Sequence, residues 1–290
     1  MNDSAAPPFV FFGTDSFSVA VLNALEKDGF LPTSIVTLPA RKAGRGLKLH
    51  EPEVKEWADI RNIKTLQPTQ LNQELVATLT TQAPATGWPV FILASYGALI
   101  PKEILELPSY GILNVHPSLL PKYRGASPLQ TQLLEGEQNI GVTLMAMDEK
   151  MDHGDIVTSE KLTVPNTKHY SAHELSEKLG EKGGALLAQV LPDFIHGKIH
   201  GTPQNHKEAT FTHKIKKTDG KINLSDEGIL NYRKYLAYNG WPGIFFFENG
   251  KRIKITQAIF KDGAFIPTKV IPEGKKEIDW DLFVKNNIVR

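Results

Sequence analysis

The sequence predicts an α/β fold with a mostly parallel sheet, joined to a smaller β-rich domain. Three observations carry this reading. Short apolar runs alternate with stretches of helical spacing as far as Ile195. The first apolar run closes on a glycine-bearing turn that leads directly into a helical pattern. After His200 the pattern changes to short extended runs separated by hairpin-type turns. Such alternation favours a sheet covered by helices on both faces.

Phe9 to Phe12 is an apolar strand run closed by Gly13, Thr14 and Asp15. Helical spacing follows through Phe17, Val19, Val21, Leu22 and Leu25, giving strand, tight turn and helix. With one glycine in the turn, the chain lacks a dinucleotide fingerprint, and a nicotinamide cofactor has no support. Leu31 to Leu38 reads as a second strand, followed by the polar, basic segment ARKAGRGLKLH. Ile63 to Leu66 is a short strand and Asn72 to Leu79 a helix. Val90 to Ala94 is a strand ending at Ser95, Tyr96 and Gly97, and Pro101 suits the first turn of a short helix. Gly111 to Val115 is another strand, with His116 to Pro121 leaving its carboxyl end. Leu129 to Leu134 is helical, Gly141 to Met147 alternates as a strand, and Ser171 to Ile195 is a longer helix.

Residues 1–200 are expected to form one domain, 201–206 a linker and 207–290 a second domain. Gly243 to Phe247, Ile253 to Ile259 and Phe265 to Val270 are its extended runs. Asn249-Gly250 and Asp262-Gly263 suit hairpin turns.

The 290 residues hold 33 basic and 32 acidic side chains, so bulk charge points to no polyanionic partner. The distribution is uneven: residues 205–290 carry 16 basic against 10 acidic, net +6, leaving 17 against 22, net −5, before them. A basic module beside a mildly acidic one, or simply a solvated lysine face, fits this. The chain has no cysteine, which excludes disulfides, thiolate nucleophiles and sulfur-ligated metals. It has no apolar run of membrane-spanning length, and MNDSAAPP lacks the basic start and apolar core of a signal peptide. A cytoplasmic monomer is expected.

In NVHPSLLPKYRG, Asn114 and His116 stand two apart on an extended stretch, so both side chains point to one side. Asp152 lies in MDEKMDHGD, a polar turn after a strand, beside Gly154, which permits a tight bend. Carboxyl ends of strands in open α/β sheets are common sites of small-molecule chemistry. The plainer reading has Asn114 and Asp152 tying loop backbones and His116 as a satisfied core histidine. His116, His153 and Asp155 do not form persuasive metal-ligand spacing, and no metal is expected.

SYGALIPKEILELPSYGILNVHPSLLPKYRGASPLQ, followed by GVTLMAMDEKMDHGDI, resembles the formyltransferase family that uses 10-formyltetrahydrofolate. FFGTDSFSVAVLNAL is similar to that family's first strand-turn-helix, with Asp15 where a proline is common. The resemblance implies a Rossmann-like catalytic domain in which Asn114, His116 and Asp152 are the catalytic set. Asn114 would donate to the oxyanion of a tetrahedral centre, and His116 would stabilise it as well. Asp152 would orient His116 and relay protons, with the group that takes the amine proton left open.

For the folate donor, the strand-end loops holding Phe91, Leu93, Tyr96, Gly97 and Ser118 are expected contacts. Leu119, Leu120 and Pro121 would form an apolar wall, with Val142, Met147 and Asp148 opposite; ordinary loop packing is the plainer use of these residues. Lys122 and Arg124 suit either the folate tail or RNA.

Three groups of the family act on glycinamide ribonucleotide, amino sugars or methionyl initiator tRNA. TLPARKAGRGLKLHEPEVKEWA resembles the basic inserted loop of the tRNA-acting group. Arg41, Lys42, Arg45 and Lys48 would supply its charge, Arg45 above the others, with Gly44 and Gly46 allowing close approach. ATFTHKIKKTDGKINLS and YNGWPGIFF are similar to that group's carboxyl-terminal domain, an open, OB-like β-barrel. Lys214, Lys216, Lys217 and Lys221 would reach phosphate or merely solubilise a hairpin, whereas Trp241 and Pro242 are expected to pack. The competing readings are an amino-sugar formyltransferase and a noncatalytic RNA- or folate-binding relative.

Overall fold

The structure, a computed structural model, describes residues 6–43, 48–163 and 170–288. In chain order, the first strands are β1 (Phe9–Gly13), β2 (Ser34–Val36), β3 (Arg41–Ala43), β4 (Lys48–His50), β5 (Lys64–Leu66), β6 (Val90–Ala94) and β7 (Ile112–His116). They continue as β8 (Arg124–Gly125), β9 (Gly141–Ala146), β10 (Ile156–Lys161), β11 (Phe211–Thr212), β12 (Ile244–Glu248), β13 (Lys251–Lys261), β14 (Ala264–Pro272) and β15 (Ile278–Asp279). The helices are α1 (Ser16–Lys27), α2 (Glu53–Ile60), α3 (Gln73–Thr81), α4 (Lys102–Leu105), α5 (Pro128–Glu135), α6 (Ala172–Ile195), α7 (Gly228–Ala237) and α8 (Trp280–Ile288). Two compact units result. One joins Met1–Gly125, Asn139–Thr163 and Ser176–Phe211; the other joins Ala126–Gln138, Val164–Leu175 and Thr212–Arg290.

The first unit is built on a seven-stranded sheet in the order β10-β9-β7-β6-β1-β2-β5. β5, β2, β1, β6 and β7 are parallel, whereas β9 runs antiparallel to β7, and β10 antiparallel to β9. β1 and β6 are wholly buried, as a parallel sheet covered on both faces requires. One core layer gathers Phe12, Trp88, Phe91, Tyr96 and Ile104, and the Trp88 indole N–H donates to the Leu79 carbonyl at 2.8 Å. β2 is shorter than the apolar run suggests. Pro32 has no N–H for a ladder, and the pairing begins only at Ser34.

α1 begins at Asp15, whose carboxylate accepts from the Ser18 N–H at 3.3 Å and from the Ser95 hydroxyl at 2.5 Å. It thereby both caps the helix and ties it to the end of β6. α6 crosses α1 closely because of its small residues. A Cβ on Gly180 would lie 2.5 Å from the Ala20 Cβ, and one on Gly184 would lie 2.5 Å from the Val21 carbonyl oxygen. Gly183, one position away, meets Val115 and Val142 of the sheet in the same manner.

The second unit holds a four-stranded antiparallel meander, β12-β13-β14-β15, with α7 and α8 against it. Asn249 (φ 49°) with Gly250 (φ 74°), and Asp262 (φ 51°) with Gly263 (φ 80°), make both hairpin turns left-handed at two successive residues. That geometry matches the twist of the flanking strands. α5 and α7 pack together within this unit.

Gly184→Val should destabilise the protein by about 1–3 kcal/mol, because the added atoms meet backbone on α1. Calorimetry should record a melting temperature several degrees lower, with far-UV circular dichroism retained.

Candidate active site

β7 places Asn114 and His116 on one side of the sheet, while Val115 faces α6. Both polar side chains are buried, His116 to 4% exposure. The Asn114 carboxamide makes no hydrogen bond among the described residues, so its N–H groups remain available. His116 is more constrained. Its Nε2 lies 3.1 Å from the Tyr123 carbonyl oxygen, which can only accept, so Nε2 carries the ring proton. In the neutral ring the Nδ1 lone pair then faces Asp152, whose Oδ1 is 3.7 Å away.

Asp152 arrives by a route that the expectation of strand ends did not foresee. β9 is antiparallel to β7, pairing Ala146 with Leu113 and Thr143 with His116. Its carboxyl end therefore points away from His116, and the β9–β10 connection must fold back along the sheet. Two features permit this. Asp152 adopts a left-handed backbone, φ 49°, and Gly154 passes so close to Ala146 that a Cβ there would lie 1.9 Å from its carbonyl oxygen. The left-handed conformation costs on the order of 1 kcal/mol for a residue with a side chain. Asp152 Oδ2 accepts from the Gly125 N–H at 2.7 Å, fixing the carboxylate.

A second polar layer supports this loop. Arg124 is buried, and its Nε and Nη2 donate to Gln204 Oε1 at 3.2 and 2.6 Å. Burial lowers its guanidinium pKa, opposed by the carboxylates of Asp152 and Asp148. His206 Nδ1 accepts from Arg124 Nη2 at 2.9 Å. Partial desolvation, then the neighbouring His153, Arg124 and Lys150, hold His206 below the ordinary histidine range, which suits an accepting nitrogen. The His153 and His206 rings stack 4.0 Å apart, and His153 Nδ1 lies 2.5 Å from Asp148 Oδ2. Among the described residues, no group of three or more His, Cys, Asp or Glu is arranged to hold a metal ion.

The expected donor contacts divide. Phe91 and Val142 are fully buried in the core, Phe91 against Phe12 and Trp88, so neither side chain offers surface to a ligand. Both sit on strands with two covered faces. Ser118 is also fully buried, and its hydroxyl donates to the Lys122 carbonyl at 2.7 Å. Leu93 and Leu120 are nearly buried, and Leu120 N–H donates to Thr143 Oγ1 at 3.1 Å. Leu119, Pro121, Met147 and Asp148 are half-buried, and Gly97 is exposed with φ 86°. Tyr96 bounds an open cleft of about 310 Å³ with Leu38, Leu71, Leu99 and Pro101. Burial pushes the Tyr96 phenol up to about 12, so it stays protonated at neutral pH.

Arg41, Lys42 and Lys48 are exposed on the β3–β4 hairpin, beside the exposed Leu49. Arg45, with Gly44 and Gly46, lies outside the described residues. Lys214, Lys216, Lys217 and Lys221 are exposed in the second unit, Lys221 with its ammonium 5.6 Å from the centre of the Phe247 ring. Pro242 is buried as expected of a packing residue, but Trp241 is 54% exposed and does not pack as expected. Tyr123, Gly125 and Gln204 were missed from sequence. The first two act through backbone groups, which residue identity does not reveal, and Gln204 sits in a segment whose Gly-Thr-Pro composition reads as a linker.

The formyl transferase model matches residues 8–191, and the formyl transferase C-terminal domain model matches residues 214–279. A methionyl-tRNA formyltransferase of Chloroflexus aurantiacus is 39% identical over 265 residues, covering 90% of this chain and 84% of that protein. A sugar 3N-formyl transferase, solved in the presence of dTDP and 5-N-formyl-THF, superposes with a TM-score of 0.64 at 18% identity, covering 89% of this chain and 87% of that one. The methionyl-tRNA formyltransferase from Clostridium thermocellum superposes at 0.59 and 17% identity, covering 94% and 99%. At such identities the solved structures speak for the fold alone. The chain belongs to the formyl transferase family and is an enzyme of formyl-group transfer.

Ser118→Ala should cost about 1 kcal/mol, leaving the Lys122 carbonyl without its donor. A lowered melting temperature with an unchanged KM for the formyl donor is the expected pair of results. A raised donor KM at unchanged stability would restore Ser118 as a ligand contact.

Proposed function

We propose that the enzyme transfers the formyl group of 10-formyltetrahydrofolate to the α-amine of methionyl initiator tRNA, in the cytoplasm and as a single chain. The acceptor assignment is supported by the curated relatives, named as methionyl-tRNA formyltransferases at 33% to 39% identity. The exposed basic residues Arg41, Lys42 and Lys48 on one hairpin agree with it.

The observation that carries the chemistry is the polar set of a free Asn114 amide and a His116 whose Nδ1 faces Asp152. The amine nitrogen attacks the formyl carbon, a C–N bond forms, and the carbonyl electron pair moves onto oxygen. Asn114 donates to that oxygen, an interaction that strengthens as charge develops. The attacking amine gives a proton to His116 Nδ1, the nitrogen left open by the Nε2–Tyr123 bond. Asp152 stabilises the resulting imidazolium. The same proton then passes to N10 of the folate as the old C–N bond breaks and the carbonyl re-forms. Amine and donor thus exchange one formyl group for one proton, and His116 returns to its neutral form.

The donor would rest against the accessible part of the expected surface, namely Gly97, Leu119, Pro121, Met147 and Asp148, with the buried Tyr96 behind it. Residues 1–200 would carry the chemistry, and residues 207–290, following the segment 201–206, would help grip the tRNA through Lys214, Lys216 and Lys217. Arg45 belongs with Arg41 and Lys42 in the same proposed contact. An amino-sugar acceptor is the second reading, since the fold, shared with a sugar 3N-formyl transferase, does not by itself separate the two acceptors.

Incubation with 10-formyltetrahydrofolate and either methionyl initiator tRNA or amino-sugar nucleotides, followed by product identification, tests the acceptor. Formylmethionyl-tRNA is the expected product; transfer only to sugar would overturn it. Asn114→Ala should lower kcat roughly 100-fold while leaving donor KM nearly constant. Replacing Arg41, Lys42 and Lys48 together by Ala should weaken tRNA binding. It should also reduce the slope of log affinity against log salt by about 2 to 3. An unchanged slope would remove the hairpin from the interface.

A further inference from the structure

We propose that Gln204 is a positioning residue for Asp152, and that the segment entering the carboxyl-terminal part of the chain thereby sets the catalytic carboxylate. The proposal rests on the reading of Asp152 as the partner of His116.

Gln204 is 6% exposed, and its carboxamide is used at both ends. Nε2 donates to the Asp152 carbonyl at 3.0 Å and to the Gly154 carbonyl at 2.7 Å. Oε1 accepts both donors from Arg124. These two carbonyls bracket the residues whose backbone makes the return bend, with Asp152 itself left-handed at φ 49°. A single side chain therefore bridges the Asp152 loop to Arg124, the residue preceding Gly125, whose N–H holds the Asp152 carboxylate.

The segment carrying Gln204 is itself fixed. Thr202 exchanges two backbone hydrogen bonds with Ile156 at 2.8 and 2.9 Å, and Gly201 lies against Asp155, where a Cβ would come within 2.5 Å. Only an amide fits both halves of the clamp. Glutamate would keep the acceptor for Arg124 but turn a lone-pair oxygen toward two carbonyl oxygens, repelling the loop it now holds. Displacing a reacting group by about 1 Å is worth on the order of 100-fold in rate.

The test compares wild type, Gln204→Glu, Asp152→Ala and the double variant. Gln204→Glu should lower kcat about 10- to 100-fold, with donor and tRNA KM little changed. In the Asp152→Ala background the same substitution should change kcat less than about twofold, since both act on one group. Equal loss of kcat in both backgrounds would overturn the proposal, as would wild-type kcat in Gln204→Glu. Hydrogen exchange at the Gly125 amide gives a readout independent of acceptor. It should be faster in Gln204→Glu, and unchanged protection would reject the clamp even if wild type formylated no tRNA. That last outcome alone would count against the functional reading instead. Should Gln204→Glu fail to fold, Gln204→Met, similar in size but without either hydrogen-bonding half, takes its place with the same expected and contrary results.

Discussion

The antiparallel placement of β9 beside β7 is the constraint from which the rest of the site follows. Had β9 run parallel, its carboxyl end would have delivered an acidic loop directly to the end of β7. Instead the chain leaves β9 opposite Leu113 and must return past Met147 to bring a carboxylate to His116. The left-handed Asp152, the side-chain-free Gly154 and the hydrogen bonds from Gly125 and Gln204 all serve that return. Local strain at a site persists where surrounding contacts over-determine it, and here they do.

The buried histidine imposes the second condition. Its Nε2 is committed to the Tyr123 carbonyl, at a residue that is itself left-handed with φ 61°. The SLLPKYRG stretch therefore contributes chiefly by shape. Ser118 and Thr143 lock its beginning, Tyr123 fixes the imidazole tautomer, and Gly125 fixes the carboxylate. Rigid strands carry Asn114 and His116, whereas the partner that must be aligned with them sits on a braced loop. Behind β7, the close approach of α6 through Gly183 keeps the strand's other face sealed. In this way the packing of an unremarkable helix bears on the orientation of the polar face.

Much of the fold was legible because its signals are local. β6 lies where the apolar run ends at Ala94, α3 starts after its Asn72 cap, and both hairpin turns fall on Asn-Gly and Asp-Gly. Asn114 and His116 share a face because period-two geometry leaves no alternative. Strand direction was not legible, since alternation in Gly141 to Met147 is the same whichever way the strand pairs. Nor did hydrophobicity near a strand end distinguish Phe91 or Val142, sealed in the core, from Leu119 or Met147, which are half-buried. The backbone donors and acceptors of Tyr123 and Gly125 carry no residue signature. The glutamine at position 204 lay in a segment whose composition suggested slack, although its backbone is bonded to Ile156.

The tautomer of His116 is the point at which fold and chemistry meet. Nitrogen-15 NMR of the imidazole ring at neutral pH measures it directly, with the His116 resonances assigned by substitution. The ring proton is expected on Nε2, leaving Nδ1 open toward Asp152. A proton resident on Nδ1 in the neutral ring would contradict this arrangement and remove His116 as the group that receives the amine proton.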